Sequence, residues 1–152
     1  MASNKMRVAF ALVSVLSLLG VVQSSNTTLQ ASNCGGNCPG GNCPSCPCGT
    51  TKSVLDITSW CAQYTGWNQA NCRCIVSHES GGNANAVCYN TNGSYDVGLW
   101  QINDYNWGSC SGGAAPCSAS TNLACAKKVY GWGGNTWKFW STCGACGACS
   151  SS

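Results

Sequence analysis

Carboxylates are scarce in this chain. Its 152 residues hold four of them, Asp56, Glu79, Asp96 and Asp104, so Glu79 is the sole glutamate. Acid–base chemistry that depends on a carboxyl group therefore has very few candidates. Basic residues are also few, seven in all, with no run longer than Lys127-Lys128. Nucleic acid is thus not an expected partner, because binding it takes a dense cationic surface. Beyond residue 22 no apolar run approaches the about 20 residues that span a bilayer, and no membrane span is expected.

What is present begins with a targeting pattern. Lys5 and Arg7 precede an apolar run from Val8 to Val22, and Val22-Gln23-Ser24 supplies small residues at the expected cleavage positions. Residues 1–24 read as a secretory signal peptide. Without them, five basic residues face four acidic ones, a net charge of +1 in place of +3. The chain is expected to be secreted, or to reside in the lumen of a digestive or lysosome-like compartment. Fifteen cysteines in such a chain imply a disulfide framework. The odd count leaves at least one thiol free, modified or paired between chains.

Residues 25–50 form a Cys-, Gly- and Pro-rich leader or linker without hydrophobic period. A zinc or copper site on Cys43 and Cys46 is the competing reading, and the secretory route argues against free thiolates there. Residues 51–152 read as one catalytic domain. Val54, Ile57, Cys61 and Tyr64 recur at helical spacing, with Ser53 and Asp56 as a capping pair. A second helix runs from Asn68 to the Gly81-Gly82 stop and carries Glu79 in its last turn. Residues 86–102 read as a hairpin turning at Thr91-Asn92-Gly93-Ser94. Two more helices are expected, at 119–130 and 135–141. Helices around one small antiparallel hairpin make an α+β, disulfide-rich fold.

Glycoside hydrolysis needs one carboxyl that stays protonated near neutral pH and a second that stays ionised. Glu79, at a helix C-terminus with aromatic residues at hand, is expected to hold its proton. Asp96 lies among Asn90, Asn92, Ser94, Gln101 and Asn103, whose hydrogen bonds favour a charged carboxylate. Two acids in opposed environments suit assigned acid and base roles. Taken singly, each acid reads as ordinary surface or turn chemistry. Their combination with Gly98-Leu-Trp-Gln-Ile-Asn103 makes the pair informative.

The motif Cys74-x4-Glu79-Ser, then Asp96-x-Gly-x-x-Gln-Ile-Asn103, then Cys125-Ala-Lys-Lys-Val resembles the c-type lysozymes over about Cys74 to Cys143. The resemblance implies a lysozyme-like fold, with Glu79 as general acid and then base, and Asp96 as nucleophile or stabiliser. It implies Trp137 as the apolar wall beside the acid, Trp107 as a sugar-stacking face, and Asn90, Gln101 and Asn103 as polar groups of the cleft. It also implies disulfides Cys74–Cys143 and Cys110–Cys117. Trp60, Trp67, Trp132 and Trp140 are assigned to core or surface. The loop from Cys110 to Cys125 lacks acids, so no calcium loop is expected, and no cofactor or metal is implied.

The resemblance further implies a monomer hydrolysing β-1,4 bonds between N-acetylmuramic acid and N-acetylglucosamine in bacterial peptidoglycan, with chitin oligosaccharides as a secondary substrate. Two rivals share these residues. A lytic transglycosylase would use Glu79 alone, and a defence protein would bind saccharides without cleaving them.

Overall fold

A computed structural model describes residues 34–36, 38 and 43–150. The expected signal peptide and the first part of the leader lie outside these residues.

Helix α1 (Ile57–Cys61) is a single short turn capped by Asp56, whose carboxylate accepts from the N–H groups of Thr58 and Ser59. Ser53 does not join this cap. Its N–H donates to Asn83 Oδ1 at 3.0 Å, and its carbonyl accepts from Ala84. Helix α2 (Gln69–Ser80) starts at Asn68, whose side chain accepts from Ala70 and Asn71, and stops at Gly81 in the left-handed region, φ 58°. Cys72, Ile75, Val76 and Ser80 are its buried face. Glu79 follows Cys72 by seven residues, two helical turns, and so lies along that face rather than on the solvent side.

Strands β1 (Val87–Tyr89), β2 (Tyr95–Val97) and β3 (Ile102–Asn103) form an antiparallel sheet in that order. The register pairs Val87 with Val97, Cys88 with Asp96 and Asp96 with Asn103. Strand alternation then separates two faces. Val87, Val97, Tyr89 and Tyr95 share one face. Cys88 and Asp96 share the other.

The apolar face is covered by the leader. Cys34, Cys38 and Cys43 are buried in one cluster with Val87 and Val97, and Ser45 Oγ donates to Tyr95 Oη at 2.9 Å. Cys34–Cys46 and Cys38–Cys43 close this segment internally, and Cys48–Cys117 ties it to the chain just before Ala119. With Cys43 and Cys46 both oxidised, they offer no thiolate pair to a metal.

The main core lies between α2, the sheet loop and α4 (Ala119–Trp132). Its centre is aromatic: Trp67, Trp100, Tyr130, Trp137 and Trp140 are linked by ring contacts of 4.9–5.9 Å. Asn122, fully buried on α4, accepts from Trp100 N and donates to the carbonyls of Val97 and Pro116. Gly98, φ 80°, packs against it so closely that a Cβ would fall 2.2 Å from Asn122 Nδ2. A glycine is required there on both counts.

Three expectations are corrected. The helix expected at 135–141 is absent, because Gly134 and Asn135 both take positive φ and break the run, leaving a 3-10 turn over Ser141–Cys143. Cys74 pairs with Cys146, not Cys143, which pairs with Cys149. Cys110 pairs with Cys125, not Cys117, because short helix α3 (Trp107–Cys110) packs on α4 with the two Cα atoms 5.0 Å apart. The odd thiol is Cys88.

Candidate active site

A cleft of about 550 Å³ runs between the sheet and the helical side. Glu79, Asn90, Asp96, Gln101 and Asn103 all line it. Residues separated by up to 24 positions therefore meet at one surface.

Glu79 is half-buried, and its Oε1 accepts from Thr142 Oγ1 at 2.6 Å. Its carboxyl is pushed above the usual range, chiefly by burial and also by the charge of Asp96. The Thr142 hydroxyl and backbone N–H, with neighbouring His78, pull in the opposite direction and do not prevail. Cys74–Cys146 secures this arrangement by joining α2 to the segment that follows Thr142.

Asp96 is held differently. Its Oδ2 accepts from Asn90 Nδ2 and its Oδ1 from Asn103 Nδ2, both at 2.8 Å. Ser94 Oγ accepts from the same two amides and donates to Asn92 Oδ1, which fixes the orientation of the whole group. Asn90 and Asn103, expected to contact substrate, spend their amide nitrogens on positioning Asp96. Gln101 takes a left-handed conformation, φ 47°, and its Nε2 donates to the carbonyls of Ala86 and Gly98. Its amide oxygen is the group left for a ligand.

The structure does not bring Trp107 or Trp137 to the cleft. Trp137 is fully buried among Trp67, Tyr130 and Trp140. Trp107 is half-buried, with its indole N–H donating to the Ile102 carbonyl at 3.0 Å. The buried tryptophan that does line the cleft is Trp140, whose Nε1 donates to the Trp100 carbonyl at 2.7 Å. Trp137 and Trp140 differ by three positions, and the glycine-broken loop before them removes any helical phase by which sequence could choose. Thr142 was also missed, since a lone threonine beside cysteines carries no signal of its own.

Among the described residues no helix is long and apolar enough to cross a membrane. Cys74, His78 and Cys146 converge, but the two sulfurs are bonded to each other and cannot both ligate a metal.

The chain is similar to known proteins. The chain is 40% identical to a "Lysozyme" of Bombyx mori over 70 residues, which are 38% of this chain and 50% of that protein. It is 34% identical to "Lysozyme C" of Ortalis vetula over 94 residues, 51% of this chain and 71% of the relative. It is 37% identical to "Lysozyme 1" of Musca domestica over 87 residues, 46% of this chain and 60% of the relative. The matches thus span about half to seven-tenths of those relatives' lengths. A family profile described as "Lysozyme like domain" matches residues 54–142, well over half of the chain and the stretch that builds both walls of the cleft. On that match, with the α+β fold, the chain belongs to the lysozyme-like domain family.

Proposed function

We propose that this chain is a secreted lysozyme that hydrolyses the β-1,4 bond between N-acetylmuramic acid and N-acetylglucosamine in bacterial peptidoglycan. Chitin oligosaccharides are proposed as a secondary substrate. Residues 51–152 are the proposed catalytic unit, acting as a monomer after loss of residues 1–24. The observation that carries this reading is the contrast between two carboxyls on one cleft. One is shielded and held by Thr142, and the other is gripped by two amides.

In this reading the chemistry has two stages, with roles taken from the lysozyme family. Protonated Glu79 gives its proton to the glycosidic oxygen as the bond to the anomeric carbon breaks. Asp96, presented as a carboxylate by Asn90 and Asn103, meets the positive charge that develops at that carbon. Glu79, now ionised, then takes a proton from the incoming water, whose oxygen bonds to the anomeric carbon and releases the sugar from Asp96. The burial of Glu79 favours the protonated form at the start of each cycle.

The test is clearing of a bacterial cell-wall suspension by the protein beside Glu79→Gln and Asp96→Asn. The hydrolase reading expects no clearing with the first and severe loss with the second. Loss with Glu79→Gln alone, and an anhydro sugar at the product end, would replace it by transglycosylase chemistry.

A further inference from the structure

The sequence holds two Asn-x-Ser/Thr sequons, Asn26-Thr27-Thr28 and Asn92-Gly93-Ser94. Asn26 lies outside the described residues. Asn92 lies in the turn that joins β1 to β2, where Thr91, Asn92 and Gly93 are all exposed. Gly93 takes φ 85°, and its N–H donates to the Asn90 carbonyl at 2.9 Å, which closes a tight turn with Asn92 at its tip.

The two ends of the Asn92 amide have different fates. Its Oδ1 accepts from the Ser94 N–H at 3.0 Å and from Ser94 Oγ at 2.7 Å. Its Nδ2 has no hydrogen-bond partner among the described residues. An N-linked sugar is attached at that nitrogen and leaves the amide oxygen an acceptor. Retention of the oxygen matters for the site. Ser94 Oγ, besides donating to Asn92, accepts from the Asn90 and Asn103 amides that grip Asp96. A sugar on Asn92 Nδ2 leaves every one of these bonds in place, whereas loss of Oδ1 would release Ser94.

Resting on the reading of the chain as a secreted glycosidase, we propose that Asn92 carries an N-linked glycan that fences the sheet-side rim of the cleft. The co-reactant is a lipid-linked oligosaccharide pyrophosphate of the secretory pathway. The bond from its anomeric carbon to the pyrophosphate oxygen breaks, and a bond from that carbon to Asn92 Nδ2 forms. One amide proton is released, and the lipid pyrophosphate leaves with the electron pair. Ser94, the third residue of the sequon, is 3% exposed in the folded chain, and its hydroxyl makes its one donor bond and both acceptor bonds there. Transfer therefore precedes closure of the sheet. Asn90 lines the cleft, and two residues span at most about 7 Å, so the glycan is rooted at the cleft's edge. Being bulky, it obstructs an extended cell-wall polymer more than a short soluble oligosaccharide.

The experiment expresses the full chain, with its own first residues, in a eukaryotic secretory host. Peptide mass spectrometry after amidase release in heavy-oxygen water reads occupancy at each sequon, because earlier Asn-Gly deamidation leaves no label. An endoglycosidase that leaves one sugar on the asparagine then trims the glycan and keeps Asn92 Oδ1. Heavy label at Asn92 is expected. The intact glycoform should clear a cell-wall suspension severalfold more slowly than the trimmed one, and fewer of its molecules should pellet with the walls. Turnover of a short soluble oligosaccharide should have the same kcat in both forms. Protein in the medium whose Asn92 peptide carries no label overturns the site, whatever the state of Asn26. Equal clearing and equal pelleting by the two forms overturn the fence. A chain retained in the cytosol without label overturns both the site and secretion. Failure of the hydrolase is read separately. Label at Asn92 and weaker pelleting of the intact form, with no cleavage by either, keep the fenced site and remove the hydrolase.

Discussion

Thr142→Val removes one hydroxyl and leaves the shape of the side chain, which isolates the bond between Thr142 Oγ1 and Glu79 Oε1. At 2.6 Å that hydroxyl donates to the carboxylate and stabilises its ionised form. Hydrogen bonds to charged groups contribute about 1.5–3 kcal/mol. Glu79 is only half-buried and the Thr142 backbone N–H remains, so the lower end applies. At about 1.4 kcal/mol per unit, the pKa of Glu79 should rise by about one unit. A general acid works while protonated, so the basic limb of the kcat/KM profile should move upward by that amount. The assay is initial-rate hydrolysis of a soluble oligosaccharide across the pH range, with Thr142→Ser as the variant that keeps the donor. Thr142→Ser should track the parent. A basic limb that stays put or moves downward in Thr142→Val would refute the reasoning, because the hydroxyl would then not be favouring the ionised acid.

Four further outcomes are expected. Burial raises the Glu79 pKa in the folded state, so the neutral form's contribution to stability is full at low pH and is lost as pH rises through the folded value; Glu79→Gln should therefore raise the melting temperature at pH above that folded value and change it little in acid. Asn103→Ala frees Asp96 Oδ1 and should lower kcat by about ten- to a hundredfold, the equivalent of one charge-assisted hydrogen bond, with binding of a short oligosaccharide retained. Asn122→Ala strands Trp100 N and the carbonyls of Val97 and Pro116 in the core, and should cost about 3 kcal/mol in denaturant unfolding. Replacing Cys48 and Cys117 together by serine opens a bridge between residues 69 positions apart, and should cost about 4 kcal/mol by the same measurement.

Sequence reasoning succeeded where local chemistry and position coincide. Asn68 and Gly81 bracket α2 as their side-chain and backbone preferences require. Strand alternation sends Asp96 to the face opposite Val97, and of the polar residues expected around it Asn90 and Asn103 hold it while Gln101 bonds the backbone instead. It failed where several identical groups compete at short spacing. Cys143, Cys146 and Cys149 recur every third residue, and only the packed geometry chooses which one reaches Cys74. Trp137 and Trp140 pose the same problem in aromatic form, and the core claims the first. Thr142 became visible only once the chain had brought it 63 residues back to Glu79.

The place of Cys88 has a consequence for the oxidation state of the whole molecule. Seven disulfides and one thiol in a single chain can exchange partners, and the attacking species in exchange is the thiolate. On β1, directly across from Asp96, that thiol is pushed above its usual range by burial, then by the negative charges of Asp96 and Glu79. It therefore stays protonated and slow to attack at the pH where the acids are needed. The carboxyl pair that would act on a sugar also quiets the one sulfur able to scramble the bridges around it.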